Sequence, residues 1–138
     1  MRGIDWPSGR FLPAFVLGPL TGVLCGYLAA SLIMRSRAYC DAGNEPGHRF
    51  ALIFFDLPAL MLVCALAAWI ASGFLWCLVR PASWKAAVFT VVPISLEVGL
   101  LIGWAAFASL GTLDGYPGDS GLCPASNIPP WWPSWLPA

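Results

Sequence analysis

FLPAFVLGPLTGVLCGYLAASLIM, residues Phe11 to Met34, runs for 24 positions without one charged side chain. The hydrocarbon core of a bilayer needs about 20 mostly apolar residues in a helix, so this stretch is long enough to cross it. Two more follow. Residues from about Phe50 to Val79 contain only Asp56 as a charge, and those from about Trp84 to Leu110 contain Lys85 at the start and Glu97 in the middle. A polar loop, Arg35 to Arg49, and a short turn, Arg80-Pro81-Ala82-Ser83, separate them. The expected fold is therefore an all-α integral membrane protein: three transmembrane helices over 11–34, 50–79 and 84–110, with the bundle occupying 1–110. Residues 111–138 hold six prolines and four glycines and are expected to form a non-helical, extended tail.

Composition agrees. Hydrophobic residues make up 59% of the 138 and charged residues 10%, against roughly 45–50% and 25% in soluble domains. So few charges cannot cover the surface of a soluble protein, and a disordered chain needs the opposite balance. Seven basic and seven acidic residues cancel, which leaves no basic footprint for nucleic acid.

A secretory signal is the alternative for the first span, with Arg2 and Arg10 as its basic flank and Ala29-Ala30-Ser31 as a small-residue site. The apolar run exceeds the ~7–15 residues of such a signal, and two spans follow it, so a retained helix is expected. Gly22-Val23-Leu24-Cys25 matches a lipoprotein cleavage box poorly, because Leu24 is large. Three spans put the amino terminus and the 80–85 turn on one side, with the 35–49 loop and the tail on the other. Arg2, Arg10, Arg80 and Lys85 stand against Arg35, Arg37 and Arg49. That small excess favours a cytoplasmic amino terminus and an external tail in the cell membrane. Trp84, Trp131, Trp132 and Trp135 fit aromatic anchors at the two interfaces.

Of five cysteines, Cys25, Cys64 and Cys77 fall inside spans, while Cys40 lies in the loop and Cys123 in the tail. An odd number of spans puts Cys40 and Cys123 on the same side, and an external side permits a disulfide between them. Two free thiols are the alternative. A metal site from Cys40, Asp41, His48 and Cys123 lacks any CxxC or HxxxH spacing, so no metal is expected. With His48 as the sole histidine, a bis-histidine haem is excluded. No cofactor is expected.

Glu97 lies 13 residues from each end of its span, about 20 Å along the helix from either. A charged acid there costs ~2.5–3.5 kcal/mol, and no span carries a basic residue at that depth, so the neutral acid is expected. Three roles fit it: a hydrogen-bonding group between helices, a contact to another subunit, or a proton or cation site. Asp56 sits seven residues past Arg49. It is either a shallow acid within reach of a snorkelling Arg49 or a helix cap ahead of Pro58.

Ala14, Gly18, Gly22, Gly26 and Ala30 recur at intervals of four in the first span. Small residues at that spacing let helix backbones approach closely. Chance is the competing explanation, since Gly and Ala are frequent in membrane helices. Ser95, Gly99 and Gly103 form a second small stripe on the third span, opposite Glu97. The two stripes together suggest a homo-oligomer or a membrane protein partner.

The tail segment Ile128-Pro129-Pro130-Trp131-Trp132-Pro133-Ser134-Trp135-Leu136-Pro137 reads as polyproline-like chain with aromatic teeth. It would lie on the interface as an anchor or dock a partner. No GxSxG, HExxH, phosphate loop or Ser/His/Asp set is present, so no enzymatic activity is expected. The expectation is a small non-enzymatic membrane protein that self-associates or serves a larger membrane complex; a proton- or cation-coupled transport subunit using Glu97 is the alternative. Six arginines to one lysine with abundant alanine suggest a bacterial gene.

Overall fold

A computed structural model describes residues 11–43, 45–81, 83–110 and 120–137. Helix α1 is Phe11–Cys40, α2 is Pro46–Ala51, α3 is Leu57–Val79 and α4 is Trp84–Leu110. A π-helical turn, Leu52–Asp56, joins α2 to α3 without a break. No strand occurs among the described residues. Three helical stretches are long and apolar enough to cross a membrane: Phe15–Cys40, Pro46–Val79 and Trp84–Ala108.

Helix ends follow local chemistry. Asp41 takes a left-handed conformation (φ 52°) and Ala42 N–H donates to Arg37 O at 3.0 Å, the six-to-one bond that closes a Schellman motif. Arg80, also left-handed (φ 43°), ends α3 with Pro81 directly after it. Ser83 starts α4, its Oγ accepting Ala86 N–H at 3.2 Å. The first helix runs six residues past the expected end at Met34, through Arg35 and Arg37. It continues with one side covered: Ser36 and Cys40, one turn apart, are fully buried, Cys40 against Cys123 of the tail.

The centre is built from small residues. Gly18 lies against Ser72 and Ala68, Gly22 against Cys64 and Ala65, and Gly26 against Leu60 and Met61. The falling numbers along α3 make α1 and α3 antiparallel. On another side of α1, Cys25 meets Gly99 and Ala29 meets Gly103, so α1 and α4 run parallel. The glycine stripe of the first span is therefore filled by α3 and the stripe of the third span by α1, within one chain. Ala30 is 2% exposed and continues the stripe; the side chain of Ala14 lies outside the described residues. Ser72 and Ser95 share a hydrogen bond at 3.3 Å between α3 and α4, and Ser72 Oγ donates to Ala68 O at 2.6 Å.

Large apolar side chains point outward instead: Phe89 is 78% exposed, and Leu101, Ile70 and Phe74 are also well exposed. A small-residue interior under a large apolar exterior suits lipid and not water. It is compatible with a multi-pass membrane protein.

The tail departs from the extended chain that its prolines suggest. Residues 124–136 form three successive turns, closed by Asn127 N–H to Pro124 O, Trp132 N–H to Pro129 O and Leu136 N–H to Pro133 O at 2.8–3.0 Å. They fold over the end of the bundle where α1 and α4 finish. Trp132 and Leu136 enter a cluster with Ile33, Leu52 and Phe107. The Trp132 ring meets Phe107 edge-on, and Trp131 meets Tyr39 in the same way. Trp104 Nε1 donates to Trp135 O at 3.2 Å. Apolar burial, unavailable to an isolated Pro/Gly chain, fixes these turns.

Candidate functional site

Three places concentrate the residues singled out above. The first is the capped end. Cys40 and Cys123 lie at disulfide-bonding distance, Cα atoms 5.4 Å apart and 83 residues apart in sequence. Cys40 and Ala42 are fully buried with Cys123 packed on them. Cys40, expected in the loop, is the last residue of α1, so the pair ties the end of that helix to the tail.

The second is Glu97. It stands midway along α4 on the outer face, exposed with Pro93, Leu101 and Trp104. Among the described residues nothing hydrogen-bonds to its carboxyl or forms an ion pair with it. The opposite face of α4, carrying Ser95, Gly99 and Gly103, is buried against the other helices. Helix geometry thus turns the acid away from its own bundle.

The third is a groove of about 630 Å³ at the tail-side end, between the start of α3 and the end of α4. Leu60 and Val63 line it from α3, Ile102 and Ala106 from α4, and Ala30 and Ile33 from α1. Arg37, His48 and Asp56 stand at its polar rim. Asp56 is exposed there and does not cap a helix: its backbone is right-handed helical (φ −70°, ψ −43°) with no side-chain capping bond. Nor does Arg49 pair with it among the described residues; Glu45 and His48 form an ion pair at this end at 3.8 Å.

The π turn places Asp56. Leu57 N–H donates to Leu52 O, five residues back. Pro58 has no N–H, and its ring would strike the carbonyl of Phe54 in an α-helix. The wider turn relieves that clash, and its extra residue rotates the flanking faces by about 100°. Leu52 turns inward to 5% exposure and Asp56 comes to the rim.

The aromatic residues divide. Trp84, Trp131 and Trp135 are exposed, whereas Trp132, expected as an interface anchor with them, is 9% exposed and belongs to the core. Sequence reasoning missed Arg37 and His48 as rim residues and the Ser72–Ser95 contact. Arg37 could have been found from Ile33, Ser36 and Cys40, which continue the helical 3–4 spacing beyond Met34. The groove itself leaves no local signal, since its walls come from three helices.

Comparison with protein-family models, with curated proteins and with solved structures finds no match.

Proposed function

We propose that this chain is a non-enzymatic membrane protein that docks through the outer face of α4, joining copies of itself or a larger membrane complex as an accessory subunit. One observation carries the proposal: a carboxyl halfway along a spanning helix, turned outward, with no partner of its own among the described residues. At that depth a polar group needs a hydrogen-bonding partner, and a neighbouring subunit supplies one. The small-residue stripes no longer argue for assembly, because each is filled inside the chain. The transport reading has less support, since Glu97 faces away from both the interior and the groove.

Native size in mild detergent tests the proposal. Glu97→Gln keeps a hydrogen-bonding end and should assemble like the wild type. Glu97→Leu should weaken association by about 3- to 30-fold, the equivalent of one interhelical bond of roughly 0.6–2 kcal/mol. Wild-type protein running as a single chain with nothing co-purifying, and both variants indistinguishable from it, would remove the proposal. A Gln variant as defective as Leu would favour a titrating site.

The same reading places the chain in a bacterial cell membrane with its amino terminus inside and its tail outside. The charge excess is slight, but the Cys40–Cys123 pair adds support, because disulfides persist in oxidising compartments. A reporter active only outside the cytoplasm should therefore work when appended to Ala138 and stay silent in the 80–85 turn. The reverse pattern would overturn the orientation.

A further inference from the structure

The groove between α3 and α4 has a chemistry that neither assembly nor orientation uses. We infer that it holds one phospholipid with an ethanolamine headgroup, the phosphate at Arg37 and His48, the ammonium at Asp56, and an acyl chain along the apolar wall. Its volume, about 630 Å³, falls within the roughly 300–1,000 Å³ of small-molecule sites. The space exists because Ala59 and Ala105 line it, where much of the outer surface carries Leu, Ile or Phe. Both alanines are exposed and so is Val63, so the groove opens sideways, toward whatever surrounds the bundle.

Polarity is confined to one end. From Asp56 at the rim to Val63 on the wall is seven residues, about 10 Å of helix, and no ionisable group lines that wall. A ligand that fits is amphipathic: a charged head at the capped end and a hydrocarbon body reaching toward the middle of the bundle. Charge complementarity selects the head. An arginine fork is suited to phosphate oxygens. His48 lines the same groove and faces Glu45 at 3.8 Å. Asp56 makes no hydrogen bond or ion pair among the described residues, and a primary ammonium gives it three N–H donors. A choline head offers no N–H to that carboxylate. A glycerol head would bring net negative charge toward it.

The polar end of the site lies away from the docking face. Ile102 and Ala106 stand roughly 140–180° around α4 from Glu97 and Ala105 about 80°, at about 100° per residue, while Ala59 lies on α3. Failure of one proposal therefore leaves the other standing.

The test is lipid retention. Purified protein is reconstituted with equal mole fractions of ethanolamine, choline and glycerol phospholipids, washed with detergent, and the lipid left on it is quantified by mass spectrometry. Wild type should retain about one ethanolamine phospholipid per chain, enriched at least tenfold over the other two. Ala105→Leu, an exposed wall position, should lower retention about tenfold without changing helix content, and Ala59→Leu should act alike should Ala105→Leu fail to fold. Asp56→Asn should keep phospholipid but lose the preference for ethanolamine. Absence of headgroup enrichment in the wild type, preference for the choline or glycerol lipid, or undiminished retention by a folded filled-groove variant would each overturn the inference.

Discussion

Gly22→Leu is expected to disrupt the bundle at its centre. A Cβ built at Gly22 falls 2.7 Å from the Cys64 carbonyl carbon and 2.8 Å from Ala65 Cα, closer than real Cβ contacts come. Both neighbours are backbone atoms of α3, so no side-chain rotation clears the space. The two helices must separate, and Gly18 and Gly26 then lose their contacts on the same seam. Overpacking typically costs 1–3 kcal/mol; with backbone as the obstacle we expect about 3 kcal/mol or more. Insertion should survive, because leucine favours the membrane. Gly73 is the control. It lies in the same helical bundle, but a Cβ there meets nothing within 4 Å, and Gly73→Ala should be neutral or slightly stabilising. Thermal unfolding in detergent compares the two variants, and equal midpoints would show that the α1–α3 seam is not close-packed.

Cys40→Ser should release the tail. A bond across 83 residues restricts the unfolded chain by roughly 4.5 kcal/mol on the chain-entropy model. The tail has little to replace it. Its described part is held by three turn bonds, the indole contacts and the burial of Trp132 and Leu136. Without the bond, residues 120–137 should be cleaved at least tenfold faster by protease added on the tail side, while the three long helices stay protected. Cys123→Ser should behave identically, and the double variant no worse than either. In the wild type both thiols should resist alkylation until reductant is added. Free labelling without reductant, or unchanged protease resistance in Cys40→Ser, would dismiss the bond.

Much of this molecule could be read from particular residues. The spans were legible because bilayer thickness imposes a length that a charge-free run either meets or does not; α4 has the expected bounds, Trp84–Leu110. Parity suggested that Cys40 and Cys123 share a side, and the bond further required that side to be oxidising; the fold brings the two to disulfide-bonding distance. The glycine stripe announced a close approach, because nothing larger than Gly, Ala or Ser stood at five successive positions four apart. It did not announce what approached. The first span could have met the third or another copy, and α3 fills it instead.

The remainder required the folded chain, for one physical reason. Each such feature depends on contacts between segments far apart in sequence. Arg35 to Cys40 is too polar to predict as spanning helix, but the tail buries one side of it and the helix continues. The tail is too rich in Pro and Gly to order itself, but α1, α4 and the π turn offer it an apolar floor at Ile33, Phe107 and Leu52. Pro58 suggested a helix start capped by Asp56; the folded chain instead has a π turn there, with Asp56 lining a groove. By itself the sequence determined three helices long and apolar enough to cross a membrane, the midpoint position of Glu97 on the last of them and the polar segments that carry Cys40 and Cys123, because length and charge are local quantities. Tertiary structure alone decided which face of α4 looks outward, what fills each stripe and where a groove remains, because those follow from the rotation of each helix about its own axis, and that rotation is chosen by the neighbours it packs against.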